Sequence, residues 1–137
     1  MRKSRLATVV SIAAAVTMLG NTTAYADGHE LATELSRPGL NEWVCAETSS
    51  ARGCFYHDGD WFSVSDLKSD GHSAVVYWQL TNGRWGYIWN NAGNATMRYK
   101  NKDFPEDMDV EIWACTGEWG TKEITPGSCS SMQPGNA

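Results

Sequence analysis

The chain has 137 residues, of which 42% are hydrophobic and 20% charged, and its formal net charge is −5. This length fits a single domain. The acidic balance argues against nucleic acid and anionic membrane surfaces as partners, because both bind clusters of Lys and Arg.

The N-terminus has the pattern of a secretory signal peptide, which we predict at residues 1–26. Basic residues at positions 2–5 precede an uncharged apolar run over residues 6–19, and the small residues Ala24 and Ala26 follow. That order is typical of a signal peptide, and the run is shorter than the roughly 20 residues of a membrane-spanning helix. We therefore expect a secreted, extracellular protein that is not attached to a membrane after cleavage.

Four cysteines lie beyond the predicted signal peptide, at Cys45, Cys54, Cys115 and Cys129. An even number in a small secreted domain indicates disulfides, and the absence of a Cys-x-x-Cys spacing argues against zinc. Of the three possible pairings we favour Cys45–Cys54 and Cys115–Cys129, because each closes a short local loop. The second loop, of about 15 residues, contributes about 3 kcal/mol in the chain-entropy model.

The mature chain divides into a flexible N-terminal arm at residues 27–41 and a single disulfide-stapled β domain at residues 42–137. The domain shows short β-type runs separated by Gly, Asn and Asp, and no long stretch has a 3.6-residue apolar period. Strands are expected at residues 42–46, 52–56, 61–66, 73–80, 85–90, 95–100 and 109–116, and near Cys129. Six to eight short strands predict an all-β fold, a small antiparallel β-sandwich, with a small β-barrel as the alternative.

The clearest element is a hairpin with strands at residues 73–80 and 85–90. Asn82-Gly83 is typical of a two-residue type I′ turn, which places Leu80 opposite Trp85. Alternate residues of a strand point to opposite faces. This register puts six large side chains on one face, which we expect to be the core face: Val76, Trp78, Leu80, Trp85, Tyr87 and Trp89.

Seven tryptophans are the most unusual feature of the composition. A small domain uses large aromatic side chains to build its core, and the tryptophans of the hairpin fit that role. Trp61, Trp113 and Trp119 instead lie beside turns or opposite an apolar strand face. These three are the candidate ligand-binding residues, since exposed aromatic rings stack on sugars or anchor protein partners.

The acidic turns and histidines do not form a recognisable metal or catalytic motif. Asp58-Gly59-Asp60 offers carboxylates, but Asp and Gly are also the residues of tight turns, and the Glu that closes an EF-hand is absent. We therefore expect no metal and no cofactor. The motifs of common hydrolases and phosphate-binding loops do not occur. Two carboxylates that converge for glycoside hydrolysis stay an open alternative, and no catalytic residue is assigned.

Three segments are distinctive: ARGCF at residues 51–55, DGHSAVV at 70–76 and NKDFPED at 101–107. Together they resemble a group of short secreted bacterial proteins that contain disulfides and β structure. The likeness extends over residues 43–131, nearly the whole domain. It implies a bacterial, extracellular origin, and it implies no particular activity.

The sequence favours a non-enzymatic extracellular module that binds polysaccharide or cell envelope through exposed tryptophans. The alternative is a secreted inhibitor of a protease or glycosidase, because a pre-organised loop binds without the entropic cost of ordering. Residues 66–71 and 101–108 are the candidate inhibitory loops. A small extracellular hydrolase is the third possibility. The expected partner is therefore an extracellular carbohydrate or a protein, and the sequence does not predict the oligomeric state.

Overall fold

A computed structural model describes residues 26–39 and 44–137. The predicted signal peptide, apart from Ala26, lies outside the described residues, as do Trp43 and the end of the predicted arm. In the described part the chain forms ten strands and no helix. They are β1 (Ala26–Leu31), β2 (Val44–Glu47), β3 (Ala51–Tyr56), β4 (Trp61–Asp66), β5 (Ser73–Leu80), β6 (Trp85–Asn90), β7 (Met97–Asn101), β8 (Asp109–Glu118), β9 (Glu123–Ile124) and β10 (Gln133–Asn136).

The strands form two sheets that pack against each other. Sheet A has the order β1-β6-β5-β8-β10, with β9 paired to β8, and sheet B has the order β2-β3-β4-β7. The pair β1–β6 is parallel, and the other described strand pairs are antiparallel. The prediction of an all-β sandwich is confirmed. The strand number is ten rather than six to eight, because β1 was expected as an arm and two short strands, β9 and β10, replace the one expected near Cys129.

The core lies between the two sheets, and most of it comes from inward-facing residues of β2–β6 and β8. Its largest members are fully buried: Phe55, Phe62, Val64, Val76, Trp78, Ile88, Val110 and Ile112. The sheets approach closely at Gly53, where a Cβ atom would lie 2.1 Å from Cγ2 of Val76. Glycine is therefore required at this position by the packing of one sheet on the other.

Both predicted disulfides are confirmed. Cys45–Cys54 joins register partners on β2 and β3, and Cys115–Cys129 joins β8 to the segment before β10. All four cysteines are thus paired. Two disulfides in so small a domain indicate an oxidising compartment, extracellular or periplasmic.

Residues 26–39 contact both sheets, first as a strand of sheet A and then along sheet B. The sequence instead predicted a flexible arm at residues 27–41. β1 adds to sheet A as a parallel strand beside β6. Further along, Glu34 pairs with Tyr99 of β7, and the guanidinium of Arg37 lies 3.4 Å from the ring centroid of Tyr56. The partners of this polar segment are distant in sequence, which is why local composition indicated an arm.

The β5–β6 hairpin has a three-residue loop, and the predicted register is wrong by one residue. The N–H of Gly83 donates to the carbonyl of Leu80 at 3.0 Å, and the N–H of Leu80 donates to the carbonyl of Arg84 at 2.8 Å. Within the loop only Gly83 has a positive φ, of 88°. The loop is therefore a type I turn followed by a left-handed glycine, rather than a type I′ turn. As a result, Gln79 lies opposite Trp85.

The shifted register divides the aromatic residues of the hairpin between the two faces of sheet A. Trp78 lies in the core between the sheets. Trp85, Tyr87 and Trp89 lie on the outer face, together with Tyr77 of β5. The expectation that all the hairpin tryptophans share the core face is wrong, because a one-residue slip exchanges the faces of one strand relative to the other.

Candidate functional site

The outer face of sheet A carries four aromatic side chains in line, hereafter the aromatic row: His29, Tyr87, Tyr77 and Trp113. They come from the neighbouring strands β1, β6, β5 and β8, and adjacent members are register partners. The row therefore crosses the strands at one level of the sheet. Because the backbone hydrogen bonds of four strands fix its spacing, the row is rigid without any contribution from a loop.

The rings of the aromatic row are in direct contact with one another. His29 and Tyr87 are stacked, with ring centroids 4.7 Å apart and planes 6° from parallel. Tyr87 and Tyr77 are 5.0 Å apart, as are Tyr77 and Trp113, with planes tilted by 34° and 36°. Trp85 stands nearly perpendicular to Tyr87, at 88° and 5.8 Å. Such pairs contribute about 0.5–1.5 kcal/mol each beyond area burial, so the rings hold each other in place.

Polar side chains lie directly beside the aromatic row. One level along the strands, Gln79 lies between Trp85 and Glu111. The hydroxyl of Tyr77 donates to Oε1 of Gln79 at 3.4 Å, which links the two levels. Burial, followed by the neighbouring Tyr87 and Glu111, raises the pKa of Tyr77, so its hydroxyl stays protonated and remains a donor at neutral pH. The face thus combines aromatic rings, half-buried except for the exposed His29, with an amide, a carboxylate and phenol hydroxyls.

The level on the other side of the aromatic row is covered by the chain itself. Trp89, Val75 and Cys115 are fully buried there. Trp119 and Ile124, which flank the β8–β9 turn, pack on this cluster. The open part of the outer face therefore begins at the aromatic row and extends towards Gln79.

Trp119 forms part of this cover. Its ring lies 5.8 Å from that of Trp89 at 62°, and Nζ of Lys122 lies 3.3 Å from its ring centroid. The stacked cation occupies a ring surface that a ligand would otherwise contact. Trp119 therefore covers the level next to the aromatic row and is not part of the open face.

Trp61, the remaining candidate from the sequence, lies in the other sheet. It is half-buried on β4, where its register partners are Tyr56 and Asn101 of sheet B. The structure thus brings Trp113 and Trp119 together around one buried cluster and places Trp61 elsewhere.

The sequence analysis missed four residues of the candidate site: His29, Tyr77, Trp85 and Tyr87. Trp85 and Tyr87 were assigned to the core face of the hairpin, which follows from the wrong register, and Tyr77 was not among the candidates. A three-residue loop from Thr81 to Gly83 gives the correct faces, and Asn-Gly fits that geometry as well. His29 had no local signal, because the row depends on the pairing of β1 with β6.

Asp60, one of the acidic turn residues considered as a metal ligand, serves the fold. The carboxylate of Asp60 accepts the N–H of Phe104 at 2.9 Å, and burial raises its pKa. Positive φ angles at Gly59 and Asp60 confirm that this segment is a tight turn. Across residues 26–39 and 44–137, three or more His, Cys, Asp or Glu side chains do not converge in a group that could hold a metal ion.

Within residues 26–39 and 44–137, the chain has no helix of the length and apolar character needed to cross a membrane. Comparisons with known proteins do not extend the assignment. No family model, no curated protein and no solved structure matches this chain.

Proposed function

We propose that this protein is a secreted, non-enzymatic module that binds a neutral polysaccharide through the outer face of sheet A. The observation that carries the proposal is the aromatic row, in which four rings from four neighbouring strands lie in line on one face. The signal-peptide pattern and the two disulfides support an extracellular location.

The dimensions of the aromatic row fit an extended ligand. Neighbouring strands lie about 4.8 Å apart, so four strands place His29 and Trp113 about 14 Å from each other. A surface of that length contacts more than one ring of a sugar chain. Because the sheet fixes all four side chains, binding requires little ordering of the protein and its entropic cost is low.

The chemistry beside the aromatic row fits a polyhydroxylated ligand. Sugar rings present C–H groups that pack on aromatic side chains, and their hydroxyls need both donors and acceptors at the edge of that contact. Gln79 and Glu111 provide an amide and a carboxylate beside Trp85 and Tyr77. Such polar groups orient a ligand that the aromatic surface holds.

The charge of the protein favours an uncharged polymer. The chain has 11 basic and 16 acidic residues, and removal of the signal peptide takes away three of the basic ones, which leaves a formal charge of −8. Anionic polymers are repelled by such a charge. Neutral chains such as cellulose and chitin are not repelled.

Of the two loops proposed for an inhibitor, the segment 101–108 does not strengthen that alternative. In the segment 101–108, Lys102 and Phe104 are buried, and Phe104 packs against Trp78 with ring centroids 4.9 Å apart. An inhibitory loop instead presents its central side chains to the target enzyme. We propose the carbohydrate-binding function because the aromatic row is the feature that supports it.

The test is co-sedimentation of the purified mature protein with insoluble cellulose, chitin and bacterial cell wall. We expect one polymer to deplete the protein from the supernatant, and we expect Trp113→Ala and Tyr77→Ala to reduce this depletion at least tenfold. Trp61→Ala is the matched control, because Trp61 is also half-buried but lies in sheet B. Near-ultraviolet circular dichroism checks that each variant is folded.

Two outcomes contradict the proposal. If none of the polymers depletes the wild-type protein, the outer face of sheet A does not bind a neutral polysaccharide of these classes. If Trp61→Ala abolishes binding and Trp113→Ala does not, the binding surface lies on sheet B.

A further inference from the structure

A pocket lies at one end of the sandwich, where β4 ends and β5 begins. This end pocket has a volume of about 240 Å³. Its polar lining includes Asp66, Lys68, Ser69, His72, Asn91 and Asn94. The side chains of the aromatic row are not among its lining residues, so it is separate from the site proposed above.

Asp66 contributes a buried carboxylate to the end pocket. The residue is only 3% exposed, and its Oδ1 accepts the N–H of Lys68 at 3.1 Å. Within the described ranges, its Oδ2 accepts no hydrogen bond. Burial raises the pKa of Asp66, although the hydrogen bond from Lys68 opposes that effect. Oδ2 is therefore available to a donor that a ligand supplies, because an ionised carboxylate accepts hydrogen bonds with both of its oxygens.

The wall opposite the β4–β5 loop is fixed by Asn90, which is fully buried. Its Nδ2 donates to the carbonyls of Val64 and Thr96, both at 3.0 Å. Its Oδ1 accepts the N–H of Ala92 at 2.9 Å. The loop that carries Asn91 and Asn94 is therefore held in one conformation before any ligand arrives.

The β4–β5 side of the end pocket is held in a similar way. The N–H of His72 donates to Oδ1 of Asp70 at 3.0 Å, and the imidazole of His72 pairs with Glu118 of β8. The N–H of Asp66 donates to the carbonyl of Thr96 at 3.0 Å, which ties the two sides together. The end pocket is thus a built feature of the fold and does not depend on a mobile loop.

We propose that the end pocket binds a single sugar residue, such as the terminal residue of a glycan. Its volume lies below the 300 Å³ or more of pockets for drug-sized ligands, which suits one ring. Sugar hydroxyls donate to Asp66 and accept from Lys68 and the asparagine amides. Phe, Tyr, Trp, Leu, Ile, Val and Met are absent from the described lining, which disfavours an apolar ligand.

The test is an NMR titration of the ¹⁵N-labelled protein with glucose, galactose, mannose and N-acetylglucosamine. We expect at least one sugar to shift the side-chain amide signals of Asn91 and Asn94 saturably at millimolar concentration. Asp66→Asn keeps the shape of the side chain but removes its charge, and should weaken binding about tenfold or more. Asn91→Leu should abolish binding, because it replaces an amide of the lining with an apolar group.

Asn82→Leu is the matched control, since Asn82 is exposed in the turn at the other end of β5. We expect this variant to bind the sugar with the affinity of the wild type.

The absence of saturable shifts with all four sugars overturns the proposal. Equal affinities for wild type, Asp66→Asn and Asn91→Leu overturn it as well. If Asp66→Asn does not fold, Asn91→Leu decides, because the side chain of Asn91 is exposed and hydrogen-bonds to no described residue. The soluble sugars report on this pocket, whereas co-sedimentation reports on the aromatic row, so either proposal can fail alone.

Discussion

Trp89 donates its indole N–H to Nδ1 of His29 over 3.0 Å, and this bond ties the outermost strand of sheet A to its interior. Trp89 is fully buried. Since an indole N–H can only donate, Nδ1 of His29 is the unprotonated nitrogen of the imidazole. The same imidazole stacks on Tyr87 and forms the end of the aromatic row. One side chain thus links the stability of β1 to the candidate binding face.

Replacement of His29 should destabilise the protein. His29→Ala leaves the buried N–H of Trp89 without its acceptor, and we expect the free energy of unfolding to fall by about 1–3 kcal/mol. Urea unfolding followed by tryptophan fluorescence measures the change. Thr33→Ala is the control, because Thr33 is exposed just beyond β1. Equal effects of the two substitutions would show that the bond to Trp89 adds no stability.

His29 should also make the free energy of unfolding depend on pH. Burial, and to a lesser extent the charge of Lys122, lowers the pKa of His29 below its ordinary value of 6.5. The unfolded chain therefore binds a proton at a higher pH than the folded protein does. The stabilisation is complete above about pH 6.5 and is lost as the pH falls through the lower folded pKa. Unfolding free energies measured from pH 7.5 to pH 5 should decline in the wild type and decline less in His29→Ala.

The sequence predicts features that depend on local pattern. Both disulfides were correct because Cys45 lies near Cys54 and Cys115 near Cys129 in the sequence, and the position of Trp113 opposite an apolar face of β8 followed from alternation along one strand. The sandwich followed from many short strands separated by turn residues.

Features that depend on pairing between distant residues were missed. Asn82-Gly83 is compatible with a two-residue and a three-residue loop, and the choice between them decides which face Tyr87 and Trp89 occupy. The ordering of β1 depends on partners more than 50 residues away, such as Arg84, which pairs with Asp27 at 2.8 Å. No local pattern reports such contacts, so the aromatic row could be recognised only once the strands were assembled.

Gly53 should be intolerant of even one added methyl group. The Cβ of Gly53→Ala would lie 2.1 Å from Cγ2 of Val76 in the opposing sheet, far inside van der Waals contact. The sheets would have to separate locally, at a cost of about 1–3 kcal/mol. Gly120→Ala is the matched control, because a Cβ there meets nothing within 4 Å and the residue does not have a positive φ. The midpoint of thermal unfolding should therefore be lower for Gly53→Ala than for Gly120→Ala. Equal midpoints would mean that the sheets are not packed as described.

Lys102 should contribute far more stability than its near neighbour Lys100. Its side chain is 7% exposed, and its Nζ lies 2.5 Å from both Asp27 and Glu30 of β1. Burial acts to raise the pKa of Asp27, but hydrogen bonds from Arg84 and Lys102 outweigh it, so the net pKa is lowered and the carboxylate is charged at neutral pH. Lys102→Met therefore leaves a buried charge short of a partner.

We expect Lys102→Met to lower the free energy of unfolding by about 3 kcal/mol, the lower end for a broken buried ion pair, because Arg84 still pairs with Asp27. Lys100→Met is the matched control: its Nζ lies 3.6 Å from Glu30 and its side chain is 33% exposed, so the loss should stay below about 1 kcal/mol. Hydrogen exchange should show faster exchange of the β1 amides in Lys102→Met, because the lost pairs are those that hold β1 against the rest of the domain. If both variants lose the same stability and the exchange of β1 is unchanged, the pairing with Asp27 and Glu30 does not anchor this strand.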